Sequence, residues 1–235
     1  MKRILRALLL ALLVLPLLRG ADDVAAKRWA QYEPSFKAFA DADAKSPPAP
    51  GGILFVGSSI FRQWSNVSDQ MAPLPVLNRA FGGSVTGDLV ARFAQLVPHY
   101  RPKVVVYYCG SNDLKAASPD DPAVIFARFR EFAEKARAFD SSIRIVFVAS
   151  FRSPDRVKRW EQVDHYNALA RAYCAADPLR TFVDLNPLIV DDAGHPRLEL
   201  FKDDKLHYVP AAYDQFAATL KPVLERVWAQ AAAKR

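Results

Sequence analysis

Five short apolar runs, at residues 53–56, 76–77, 104–108, 143–148 and 182–185, alternate with stretches of helical periodicity at 87–96, 123–139 and 157–175. A last helical pattern covers residues 211–229. Strands that read as near-continuous apolar runs are covered on both faces. Strand and helix in alternation imply right-handed crossovers, and so a parallel sheet. The chain therefore reads as α/β: a three-layer α/β/α sandwich around a five-stranded parallel sheet. Hydrophobic residues make up 51% of the 235, enough to build such a core.

This architecture limits where chemistry can be placed. In open parallel sheets, ligands bind beyond the carboxyl ends of the strands, where strand order reverses. Three polar, glycine-bearing turns fall at such positions: Gly57-Ser58-Ser59, Gly82-Gly83-Ser84 and Gly110-Ser111-Asn112-Asp113. A serine there becomes a nucleophile only with a base, itself oriented by a third group. Of the four histidines, His99 ends a helical pattern, His165 lies inside one, and His195 sits in the turn-like "DDAGHPR". His207 differs, because Asp204 lies three residues before it in "KDDKLHYVP". In a tight turn that spacing brings a carboxylate to one imidazole nitrogen and leaves the other free to take a proton. The same pattern also fits a capped turn or a solvated pair. Gly82-Gly83 also fits a turn needing positive φ, and Asn112-Asp113 a loop closure. The functional alternative is an oxyanion hole, where each aimed donor is worth about 10²–10³ in rate.

Other chemistries find no support. There is no Gly-x-Ser-x-Gly elbow, no P-loop, and no Gly-x-Gly-x-x-Gly after the first run. No residues are spaced as zinc ligands. No metal or other cofactor is expected. The net charge is +7, but residues 1–20 hold four of the cations and no acid. The remainder, near +3, is not a nucleic-acid footprint. Those twenty residues have Lys2, Arg3 and Arg6 ahead of a leucine-rich run, as a secretory signal does. The run is short for a membrane span, which needs roughly 20 apolar residues. The expectation is export to the periplasm or outside the cell, with an uncleaved anchor as the alternative. Cys109 and Cys174 read as two lone buried thiols. Aromatic and apolar residues at helical spacing over 22–44 predict an amphipathic helix, which "SPPAPGG" then breaks.

Taken in order, "FVGSSI", "NRAFGGS", "GSND" and "DKLH" resemble the four blocks of the SGNH/GDSL hydrolase family of esterases and lipases. The resemblance implies Ser59 as nucleophile and His207 as base, oriented by Asp204. It implies an oxyanion hole made by the amides of Ser59 and Gly83 and the side chain of Asn112. It also implies flavodoxin-like strand order 2-1-3-4-5, which sets the first and third strands side by side. Ser58 stands where the family usually has aspartate, and Ala80 where many members have glycine. The organisation expected is a signal at 1–20, an N-terminal helix and Pro/Gly linker at 21–52, and the hydrolase domain at 53–231.

The substrate expected is a small-molecule or carbohydrate ester with a short, acetyl-like acyl group, because no helical lid insertion is evident. Phe61, Trp64, Phe81 and Tyr208 flank the site and are candidates to line it. Alternatives are a lysophospholipase or thioesterase on longer chains, an acyltransferase, or a non-catalytic carbohydrate-binding protein on the same scaffold. Arg152, Arg156, Lys158 and Arg159, after the fourth run, read as a solvated charged loop or an anion-binding one.

Overall fold

The computed structural model describes residues 29–115 and 119–233; the expected signal, residues 1–20, lies outside these. The chain divides into two compact units between Pro47 and Pro48. The first holds α1 (Glu33–Lys45), opened by a proline in its first turn and ended at Ser46. Proline is tolerated there because the first-turn N–H groups have no intrahelical acceptor.

The second unit is built on β1 (Ile53–Gly57), β2 (Val76–Asn78), β3 (Val104–Tyr108), β4 (Arg144–Val148) and β5 (Arg180–Val183). All are parallel, in the order β2-β1-β3-β4-β5. Every residue of β1, β3 and β4 is buried. That is why these three read as apolar runs. β5 starts two residues earlier than the run that predicts it. It is an edge strand, so Arg180 and Thr181 can pair with Ile145 and Val146 while only partly buried.

The two faces of the sheet are clad differently. On one, Phe55, Val106 and Tyr108 share a core with Trp64, Phe151, Tyr208 and the long helix α8 (Pro210–Ala232). On the other, Tyr107 and Phe147 pack on Phe129 of α6 (Pro122–Phe139), and Phe147 also meets Tyr166 of α7 (Trp160–Ala175). Alternate residues of one strand thus feed opposite layers, as the pleat requires. The helical pattern at 87–96 resolves into two helices, α4 (Thr86–Ala91) and α5 (Phe93–Tyr100), which meet at Arg92. The pattern at 157–175 begins as a 3₁₀ turn, Pro154–Arg159, before α7. Two short helices lie between β1 and β2: α2 (Ser59–Arg62) and α3 (Val67–Gln70). Both cysteines are free and buried, as expected.

Candidate active site

The register Gly57↔Tyr108 sets the exit of β1 beside the exit of β3. Everything proposed for catalysis leaves the sheet at this edge or returns to it. Ser58 closes the strand: it is buried, its N–H donates to the Tyr108 carbonyl, and its Oγ has no partner among the described residues. Ser59 then opens α2, where a first-turn N–H has no acceptor within the helix. Two long-range bonds fix this short helix. Asn78 Nδ2 donates to the Phe61 carbonyl at 2.7 Å, and the Tyr213 hydroxyl donates to the Ile60 carbonyl at 2.8 Å. The sequence reading named neither residue as an anchor. Asn78 sits in the second family block, where a polar residue ending a short, half-buried strand was the available signal.

His207, the proposed base, arrives on a hairpin closed by an isolated bridge between Phe201 and Tyr208. The Lys202 N–H donates to the His207 carbonyl at 2.7 Å, and Lys205 at the tip takes φ 54. Asp204 Oδ1 accepts the N–H groups of Leu206 (3.0 Å) and His207 (2.9 Å), while Oδ2 lies 2.5 Å from His207 Nδ1. Burial pushes the Asp204 carboxyl up, but the imidazole and the two backbone donors outweigh it and hold the group at about 2. It is therefore anionic at neutral pH, and an anion on Nδ1 leaves Nε2 unprotonated when the ring is neutral. Nε2 lies 2.8 Å from Ser59 Oγ, a residue 148 positions away. The structure thus brings Ser59, His207 and Asp204 into one hydrogen-bonded line. His195, by contrast, is a surface residue, with 77% of its side chain exposed.

The loops after β2 and β3 are laced to the same edge. Ser84 Oγ donates to the Gly57 carbonyl at 3.1 Å, and the Phe81 N–H donates to it at 3.0 Å. Asn112 Nδ2 donates to the Ser84 carbonyl at 3.0 Å. Gly83 takes φ 79, and among the described residues no atom outside its chain neighbours lies within 4 Å of where a Cβ would stand. Asp113 is buried and accepts both the N–H (3.1 Å) and the hydroxyl (2.5 Å) of Thr86, pinning the start of α4. Burial raises its carboxyl to about 6, against the pull of Thr86 and of Arg128. Ala80 is not in a left-handed conformation; its N–H donates to Asn78 Oδ1 at 3.1 Å, so glycine is not needed there.

The aromatic expectation needs correction. Phe61, Trp64, Phe81 and Tyr208 are all buried to 1% exposure or less, so they offer no surface to a bound acyl chain. Phe61 is packed between Phe55 and Tyr108. Trp64 lies against Tyr213 and donates from Nε1 to Gln70 at 2.5 Å. Tyr208 fills the space between Phe151, Phe201 and Phe216, anchoring the hairpin that carries His207. An aromatic next to a site in sequence points the other way when its strand or hairpin needs a root in the core.

With this geometry in view, the comparisons with known proteins decide the family. The model of the GDSL-like Lipase/Acylhydrolase family matches residues 55–215, more than half of the chain. The chain belongs to that family. No curated protein sequence matches this GDSL-like chain. Among solved structures it is similar to an assigned acylhydrolase of Bacteroides fragilis, with TM-score 0.70 and 20% identity, covering 81% of this chain and 95% of that one. A GDSL-like lipase of Bacteroides thetaiotaomicron gives TM-score 0.67 and 22% identity over 81% and 97%. The catalytic domain of a peptidoglycan O-acetyltransferase of Streptococcus pneumoniae gives 0.57 and 16% over 77% and 96%. At these identities the likeness is one of fold.

Proposed function

We propose that this GDSL-like acylhydrolase is a serine esterase that cleaves short-chain, acetyl-like esters through an acyl-enzyme. The observation that carries the reading is the line Ser59 Oγ–His207 Nε2–His207 Nδ1–Asp204 Oδ2, with contacts of 2.8 and 2.5 Å. In the first half-reaction Ser59 Oγ attacks the acyl carbonyl as its proton passes to His207 Nε2. Asp204 holds the imidazole and stabilises the imidazolium. The oxygen that becomes negative is met by the N–H groups of Ser59 and Gly83 and by Asn112 Nδ2. His207 then gives its proton to the leaving alkoxide. Water, deprotonated by His207, attacks the acyl carbonyl and returns free Ser59 and a carboxylic acid.

The close packing of Phe61, Trp64, Phe81 and Tyr208 favours a short acyl group, since the large apolar side chains beside Ser59 fill the core instead of walling a groove. Among the described residues no helix is long and apolar enough to cross a membrane. The leader-like residues 1–20 support export, which N-terminal sequencing of the secreted protein checks. The pneumococcal relative transfers acetyl groups, so transfer to a sugar hydroxyl is the second reading of the same acyl-enzyme.

Ser59→Ala should abolish hydrolysis of p-nitrophenyl acetate, leaving the melting temperature within a few degrees of the parent. A chain-length series from acetate to palmitate should peak at the short end. Turnover retained by Ser59→Ala would reject the mechanism, and a palmitate optimum would reject the chain-length assignment.

A further inference from the structure

The charged loop after β4 does not behave as a solvated segment throughout. Arg152 does: its guanidinium pairs with Asp164 at 2.7 and 2.6 Å, and both side chains are over 40% exposed. Arg156, four residues on, is only 5% exposed. Its Nη1 donates to the Ser111 carbonyl, and its Nη2 donates to Asn112 Oδ1 at 3.4 Å. Among the described residues the one carboxylate paired with it is that of Asp155, 3.4 Å from Nε. A guanidinium removed from water is costly unless its donors are used. Here two of its nitrogens are spent on the loop that carries the Asn112 amide.

That choice has a chemical consequence. A guanidinium has five donors and no acceptor, so the amide atom facing it must be oxygen. Asn112 Nδ2 is thereby turned to the other side. One of its two N–H bonds goes to the Ser84 carbonyl at 3.0 Å, which leaves the second for an oxyanion. Without the cation, the amide could reverse and present an oxygen lone pair to the developing negative charge. A cation on Oδ1 also withdraws electron density from the amide and strengthens the N–H as a donor. The same loop reaches the base: the Asp155 N–H donates to the carbonyl of Lys205, at the tip of the His207 hairpin, at 3.1 Å. Asp155 and Arg156 together hold the donor loop and the base hairpin in one frame.

We propose that Arg156 is a positioning residue of the oxyanion hole, which fixes the orientation of the Asn112 amide and aims its free N–H at the acyl oxygen. The inference rests on the esterase reading and adds to it a residue outside the four family blocks.

Steady-state kinetics on p-nitrophenyl acetate test it with Arg156→Met, Arg156→Lys, Asn112→Ala and the double variant. Loss of the aimed donor is worth about 10²–10³. Arg156→Met should therefore lower kcat by about 10–100-fold, with KM within about threefold. Lysine keeps the charge but has no planar fork to reach both oxygens. Arg156→Lys should still lower kcat by about tenfold, at a melting temperature near the parent's. In the Asn112→Ala background, Arg156→Met should cost less than about a factor of two, because the group it aims is gone. A wild-type kcat in Arg156→Lys overturns the proposal, as does an Arg156→Met effect confined to KM or undiminished in the Asn112→Ala background. If the methionine variant does not fold, the lysine variant decides alone. Ser59→Ala runs alongside: its full turnover sinks the esterase reading, whereas an inactive Ser59→Ala beside a fully active Arg156→Lys sinks only this inference.

Discussion

Asp204→Asn should cut kcat by about three to four orders of magnitude while leaving the hairpin folded. Asparagine keeps one amide oxygen, which can still accept the N–H groups of Leu206 and His207 that Asp204 Oδ1 accepts at 3.0 and 2.9 Å. The turn through Lys205 should therefore survive. The atom now facing His207 Nδ1 is a donor. The ring must then accept there and carry its hydrogen on Nε2, the nitrogen 2.8 Å from Ser59 Oγ. Two donors would face each other, and Ser59 could not release its proton. The charge is lost as well. An imidazolium about 4 Å from a carboxylate gains about 4 kcal/mol at an effective dielectric near 20. The Asp204 side chain is 50% exposed, and solvent screening cuts that gain. At roughly half, or about 2 kcal/mol, the charge accounts for a factor of about 30. The inverted tautomer supplies the remainder. Initial rates on p-nitrophenyl acetate over a range of substrate concentrations, with a thermal melt of each protein, make the measurement. KM should move by less than about threefold. A folded Asp204→Asn within tenfold of the parent would show that the carboxylate only caps a turn, and the tautomer argument would fall with it.

Asn112→Ala should lower kcat by about 10²–10³ with little change in KM, because its free N–H is engaged only once the oxygen carries charge; an effect on KM alone would make it a ground-state contact. Burial of Asp113 raises its carboxyl from the ordinary 3.8 to about 6, so the folded state holds its proton more tightly than the unfolded chain. Its contribution to stability is complete below pH 3.8 and is lost as pH rises through 6, a change on the order of 3 kcal/mol. Melting temperatures between pH 4 and 6 should fall for the parent and stay level for Asp113→Asn; parallel curves would remove Asp113 as the source. Gly110 takes φ 127, and a Cβ there would lie 2.4 Å from the ring of Tyr166, whose hydroxyl donates to the Cys109 carbonyl. Gly110→Ala should destabilise by about 3 kcal/mol or more in urea unfolding; a loss below about 1 kcal/mol would show that the ring moves freely.

The candidate site was legible in the sequence where its parts are local. Asp204 and His207 are three residues apart, and their turn needs only Lys205 in a left-handed conformation. Gly57, Gly83 and Gly110 all take positive φ at strand exits or in the next loop, which is what a glycine in those turns suggests. Where a side chain can serve two surfaces, the reading failed. Tyr208 is one residue from His207, yet it is the root of the hairpin. Arg156 sits among three other cations in sequence, yet it alone goes inside, because its partners Ser111 and Asn112 come from a strand exit 45 and 44 residues earlier. Asn78 and Tyr213, which hold α2 in place, look like ordinary polar and aromatic residues until their acceptors are known.

Apolar runs and their spacing determined that this chain would form a parallel sheet with helices on both sides, since a strand covered on both faces admits few polar residues. Local chemistry determined which turns could carry a nucleophile, a base and oxyanion donors. Tertiary structure alone decided that Ser59 and His207 meet, because two residues 148 positions apart return to the same edge only through the order in which the strands pair. It also decided which of several like residues are buried, because burial depends on partners that lie far away along the chain.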